Sequence, residues 1–153
     1  MSAEAKLVEL NITLPPPPKA GGVYKPVVVV GNIAYASGHV SLKPDGTIIT
    51  GRVGADVDQE FGKKAAEAAG LAILATLRAN LGSLDRIKRV VKTLGMVNST
   101  AEFTNHPEVI NGCSELWAKI WGTEHGVGAR SAVGMGSLPR NCTVEVEATF
   151  ELT

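Results

Sequence analysis

Two long stretches of the chain repeat apolar residues at helical spacing, and the rest alternates or punctuates. From Asp58 to Asn80, Phe61, Ala65, Ala68, Ala69, Ala72, Ile73, Ala75 and Leu77 form one stripe. Asp56-Val57-Asp58 offers an N-cap with acidic residues near the first turn, and Gly82 a left-handed stop. From Pro107 to Trp121, Val109, Ile110, Cys113, Leu116, Trp117, Ile120 and Trp121 form a second stripe. Asn105 or His106 caps it, Pro107 takes the first helical position and Gly122 ends it. Many small alanines in the first helix suit close packing on a sheet.

The remaining apolar positions read as strands. Val8, Leu10, Ile12 and Leu14 alternate with polar residues, which predicts an N-terminal edge strand ended by the rigid run Pro15–Pro18. Val27–Val30, turned by Gly31-Asn32 into Ile33–Val40, predicts a hairpin with a buried valine strand. Lys43–Gly46 is a turn, and a short strand over Thr47–Thr50 is expected after it. Ile87–Val97 is a strand and Asn98–Asn105 a loop. Ala129–Val133 and the alternating Val144–Leu152 are expected to pair as a hairpin with a long loop. The fold class is therefore α+β: one sheet with two helices on one face. The valine content implies that the other face is also covered, which predicts self-association.

At 153 residues the chain is one domain, with residues 1–18 as an edge segment and connector. Fifteen basic and fifteen acidic residues cancel, so no global charge draws the chain to nucleic acid or an anionic membrane. No apolar run is long enough for a membrane span, and MSAEAKLVEL lacks the apolar core of a signal peptide. Cys113 and Cys142 have no metal-type spacing and read as reduced thiols, so a cytoplasmic protein is expected. His39, His106 and His125 are isolated from one another, and no metal site is expected. There is no phosphate loop, dinucleotide fingerprint or nucleophile elbow.

What remains is a scatter of polar residues on strand ends, loops and a helix start: Tyr24, Ser37, Asn111, Arg130 and Glu145. Spacing alone does not join them, and a single arginine on a strand is ordinarily a solvated edge residue. Their wording does join them. Tyr24 with Gly31-Asn32 and Ala36-Ser37-Gly38, then Val109-Ile110-Asn111, Arg130-Ser131, Leu138-Pro139 and Val144-Glu145-Val146-Glu147 resemble the RidA (YjgF) family of small enamine/imine deaminases. The resemblance runs from about Tyr24 onward and is most specific in its C-terminal part.

That resemblance implies a chorismate-mutase-like fold, a homotrimer with clefts between subunits, and no cofactor. It implies a small 2-imino or 2-keto carboxylate as ligand and hydrolysis of 2-aminoacrylate-type acids to 2-keto acids and ammonia. Carried over by residue, Arg130 holds the carboxylate and Glu145 positions water, while Tyr24, Ser37, Gly38, Asn111 and Ala132 line the cleft. An arginine fork suits a bidentate carboxylate contact, and a nearby carboxylate suits general-base work. The chain departs from the family at Ala132, where deaminating members commonly carry cysteine, and at Gly128, where proline is usual. These departures mark a divergent subgroup. They keep open a trimer that binds small carboxylates without turnover, and the endoribonuclease or translation-inhibitor activity described for some members.

Overall fold

The computed structural model describes residues 1–153. Five strands form one sheet: β1 (Val27–Val30), β2 (Ile33–Val40), β3 (Ile87–Asn98), β4 (Ala129–Met135) and β5 (Val144–Leu152). Its order is β1-β2-β5-β3-β4. Three helices accompany it: α1 (Ala3–Glu9), α2 (Gln59–Leu81) and α3 (His106–Gly126). The mixed α+β class is as the sequence implies.

The two long helices lie on one face because β5 is two-faced. Val144, Val146, Ala148, Phe150 and Leu152 are all buried, whereas Glu145, Glu147, Thr149 and Glu151 point the other way. Phe150 meets the Trp117 ring of α3 edge-to-face at 5.4 Å. His39 of β2 reaches Thr76 of α2 on the same face, at 2.8 Å. The helices also pack tightly on each other. A β-carbon at Gly112 would overlap the Lys63 carbonyl of α2, so only glycine allows that approach.

Asp58 caps α2 by accepting from the Phe61 amide at 2.8 Å, and Gly82 closes it at φ 85°. Asn105 takes the cap position of α3, but its amide donates instead to Gln59 at 2.7 Å. Gly122, expected to end this helix, has φ 75° and ψ 171° and kinks it; a further helical turn runs on to Gly126. The anticipated loop thus begins later than glycine alone suggested.

Four other expectations change. The alternating N-terminal residues form helix α1, not an edge strand. Ser2 accepts from the Ala5 amide at 3.2 Å as an N-cap, and Leu7 faces the core while Val8 is left exposed. Asn11, left-handed at φ 53°, closes the helix with bonds from Asn11 to Val8 and from Ile12 to Leu7. Glu4 ties α1 down, accepting from Arg78 and from the Leu84 amide. Local capping therefore outweighs a period-two pattern of four residues.

The hairpin between the last two strands does not form. β4 pairs with β3 in parallel and sits at the sheet edge, while β5 lies between β2 and β3, antiparallel to both. Helix α3 is the crossover that makes β3 and β4 parallel. In β1 only Val27 is buried, because the strand is an edge and Val28, Val29 and Val30 are 44%, 47% and 62% exposed. Thr47–Thr50 makes two isolated bridges, Leu42 to Ile48 and Thr50 to Cys142, in place of a strand.

The uncovered sheet face is also more polar than the valine content implied. Lys88 and Arg89 pair with Glu151 there, at 2.8 and 3.2 Å. The two β5 valines both face the helices, as the alternation of that strand implies. Exposed Val28, Val30, Tyr35 and Val133, with half-buried Ile33, Leu94 and Met96, are the apolar part of the open face.

Candidate functional site

Arg130 stands on edge strand β4, directly across from Thr93 of β3. Thr93 is buried beneath the helices, so the pleat turns Arg130 to the helix side. Its guanidinium reaches α3. Nη1 donates to Asn111 Oδ1 at 2.7 Å and to Ser114 Oγ at 3.2 Å, and Nη2 donates to the Pro107 carbonyl at 3.4 Å. The remaining N–H groups have no acceptor in the chain and are available to a ligand.

A chain of contacts fixes that geometry. Asn111 Nδ2 donates to Glu108 Oε2 at 3.1 Å, which turns the amide oxygen toward Arg130. Lys63 of α2 donates to Glu108 at 3.1 Å and to Glu115 at 3.2 Å. These two carboxylates raise the Lys63 pKa, Glu108 first. Glu108, Asn111 and Ser114 follow each other at three-residue spacing and share one face of α3. That spacing is present in the sequence and is the signal that places Glu108 and Ser114 beside Asn111. A cavity of about 260 Å³ opens beside them, lined by Thr93, Asn111, Ser114, Trp117, Gly128 and Arg130 among others.

Ala132, two residues beyond Arg130, also turns to the helix side, across from Gly95. Neither cysteine replaces the thiol that is missing there. Cys113 is wholly buried, which raises its pKa far beyond any physiological pH despite the opposing pull of Arg130. Cys142 is pushed up to about 12, mainly by burial and secondarily by Glu145. Both are free thiols, as the sequence implies.

Glu145 lies elsewhere. It sits between the buried Val144 and Val146 and therefore projects from the open face, opposite to Arg130. Its row runs through Met96 to Val133, whereas Arg130 stands in the row of Thr93 and Ala148. Burial raises the Glu145 pKa, with the Glu147 carboxylate adding to it. The carboxyl holds its proton to higher pH than a free glutamate.

Ser37 and Gly38 form an irregularity in the β2–β5 ladder, where the register shifts between Ala36 and His39. A β-carbon at Gly38 would overlap the Glu145 carboxylate, so any larger residue there would push that side chain out of its present position. Ser37 Oγ donates to the Lys25 carbonyl at 2.6 Å, which ties the bulge to the entry of β1. His39 Nδ1 donates to the Ser37 carbonyl at 2.6 Å, burial lowers its pKa so that the ring is neutral, and Nε2 therefore accepts from the Thr76 hydroxyl at 2.8 Å. Tyr24 is half exposed, and its hydroxyl accepts from the Gly21 amide at 3.1 Å.

The seven residues thus fall into two groups. Arg130, Asn111 and Ala132 sit at the β4 edge on the helix side. Glu145, Gly38, Ser37 and Tyr24 sit around β2 and β5. One chain does not bring them together. No helix is long and apolar enough to cross a membrane.

Comparison with known proteins gives a consistent class. The family described as "YjgF/chorismate mutase-like, putative endoribonuclease" matches residues 4–151. Protein TCP17 of Trypanosoma cruzi is 39% identical over 148 residues, 97% of this chain and 92% of that protein. The crystal structure of Atu1372 from Agrobacterium tumefaciens, a protein of unknown function, superposes with a TM-score of 0.88 at 42% identity, covering 99% of this chain and 94% of that one. RidA from a Psychrobacter species superposes with a TM-score of 0.61 at 28% identity, over 88% of this chain and 93% of that one. The chain belongs to the YjgF (RidA) family, with its chorismate-mutase-like fold.

Proposed function

We propose that the chain is a cofactor-independent enamine/imine deaminase whose site is completed between subunits of a homotrimer. The observation that carries this reading is the placement of Arg130: a strand arginine held by Asn111, Ser114 and the Pro107 carbonyl, with donors to spare, at an open sheet edge. A solvated edge arginine has no need of three acceptors on a neighbouring helix. Pre-orienting a planar fork is what a bidentate carboxylate contact requires.

In this reading Arg130 holds the carboxylate of a small 2-imino or 2-enamino acid. Glu145, brought by a second subunit, faces the imine carbon and orients a water. Its raised pKa suits proton exchange with that water and with the departing amine. An enamine first moves a proton from nitrogen to C3 to become the imine; the water oxygen then adds to the imine carbon, both water protons pass to the nitrogen, and the C–N bond breaks as ammonia leaves and the 2-keto acid forms. Gly38 gives the carboxylate room, and Tyr24 and Ser37 frame it. The opposite orientation of Arg130 and Glu145 in one chain is the reason for placing them on different subunits.

Ala132 in place of cysteine does not remove either of these roles, since water rather than a thiol is the nucleophile. The test is release of ammonia and pyruvate from enzymatically generated 2-aminoacrylate, with and without the protein. Equal rates would reject the deaminase and leave a carboxylate-binding protein built on the same contacts. Light scattering tests the trimer; a monomer at micromolar concentration would remove the inter-subunit site.

A further inference from the structure

A cavity of about 490 Å³ lies beneath the proline-rich connector, outside the contacts assigned to Arg130. Pro17, Lys19, Tyr24, Gly38, Leu42 and Arg140 are among the residues that line it. Its volume is in the range that encloses a drug-sized ligand, far more than a three-carbon acid fills. Its proline wall offers no N–H donors and is conformationally stiff, so the body of a ligand there meets an apolar surface. Gly38 joins this cavity to the Glu145 carboxylate, which it touches.

The charges at this cavity are unbalanced. Lys19 and Arg140 are exposed, and none of the chain's six ion pairs involves them. The one carboxylate lining the cavity, Asp45, stays ionised and offsets only one of the two cations. It accepts from the Thr47 amide at 2.9 Å and the Thr47 hydroxyl at 2.7 Å, and these bonds hold its pKa low. His39 also lines the cavity, but both of its ring nitrogens are engaged by Ser37 and Thr76.

Arg140 is held in an unusual way. Its backbone is left-handed, φ 53° and ψ 28°, and Asn141 beside it has φ 58°. Two consecutive left-handed residues, neither of them glycine, are uncommon and persist only where the surroundings hold them. Here Asn98 donates to the Asn141 side chain at 2.9 Å, and the Gly51 amide donates to its carbonyl at 3.2 Å. The loop keeps a conformation that arginine seldom takes, at the place where it lines the cavity.

We infer that this cavity selects the substrate side chain, and that it takes an acid bearing a second anionic group, a dicarboxylate, with Arg140 and Lys19 as its cations. The inference rests on the reading above for the position of the first carboxylate. It predicts that the preferred substrates are longer than 2-aminoacrylate.

Isothermal titration with 2-oxobutanoate and 2-oxoglutarate tests it. The wild type binds 2-oxoglutarate about tenfold tighter than 2-oxobutanoate. Arg140→Gly, which suits the left-handed backbone and keeps the loop folded, removes most of that preference and leaves 2-oxobutanoate affinity unchanged. Arg140→Lys restores part of it. Equal binding of the two acids by the wild type, or an unchanged preference in both Arg140→Gly and Lys19→Ala, overturns the inference. Arg130→Ala separates it from the deaminase reading. If that reading holds, both acids weaken by the same factor and their ratio survives. If Arg130→Ala alters neither acid while Arg140→Gly still abolishes the preference, the cavity stands and the role of Arg130 falls.

Discussion

Replacing Asn111 by alanine removes one acceptor from Arg130 and one donor from Glu108, and leaves the guanidinium to Ser114 and the Pro107 carbonyl. The lost contact is charge-assisted and short, at 2.7 Å. A fully buried bond of this kind contributes about 1.5–3 kcal/mol. Arg130 and Asn111 are both half-buried, so water partly replaces the amide and about 1 kcal/mol is the reasonable figure. In binding terms that is roughly a fivefold loss of affinity for a small keto acid. Arg130→Ala, which removes the fork itself, should cost one to two decades, about 1.5–3 kcal/mol. The ordering separates positioning from contact. Asn111→Ala weakens both the binding of 2-oxobutanoate and turnover, and lowers the stability to urea by no more than about 1 kcal/mol because neither side chain is in the core. Titration calorimetry and unfolding on the same preparation read both quantities. An unchanged affinity would mean that Asn111 does not orient Arg130 for the ligand. A large loss of stability would mean that the contact is structural and that the argument about orientation fails.

Three further outcomes follow from named groups. Glu145→Gln should lower turnover by about 10²–10⁴ with little change in keto-acid affinity, and a deaminase assay beside calorimetry would show any coupled loss. The same variant should be no less stable than the wild type at pH 7, since burial and Glu147 disfavour the ionised carboxylate; a lower melting temperature would contradict the direction of its pKa shift. His39 is held neutral by burial, so the unfolded chain takes up its proton more readily; its contribution to stability is complete above about pH 6.5 and is lost as pH falls toward the lower folded pKa. Urea unfolding across pH 5 to 8 should show that slope, and His39→Gln should flatten it.

The helices were legible because each carries a long stripe with a capping residue or a proline at its start. Asp58 caps α2 as read, and Pro107 lies in the first turn of α3, one residue after its start at His106. The hairpin at Gly31-Asn32 was equally local and formed as read. What sequence could not supply was pairing between distant strands. Val144–Leu152 is an alternating strand in either arrangement, and only the crossover through α3 decides that it pairs with β2 and β3 rather than β4. The N-terminal segment misled because four alternating apolar residues are few enough to be overruled by one serine cap, one buried leucine and the bonds of Glu4.

The candidate site was legible by wording rather than by spacing. Arg130 and Asn111 are nineteen residues apart and meet only because β4 runs beside the helix that precedes it. Their partners Glu108 and Ser114 were within reach of a helical-spacing argument. The proline-lined cavity was not, because it depends on where a connector of residues 16–21 folds back against β2 and on the backbone of Arg140.

The central claim is that Arg130 and Glu145 act together from different subunits, and mixing two impaired variants tests it directly. Arg130→Ala and Glu145→Gln, each impaired by about a decade or more alone at subsaturating substrate, are unfolded together, refolded at equal concentration and assayed for 2-aminoacrylate hydrolysis. In randomly mixed trimers about a quarter of the interfaces regain both native residues, so about a quarter of wild-type activity should return. Activity no higher than that of either variant alone, from mixed trimers shown to have formed, would place both residues on one subunit and contradict the account.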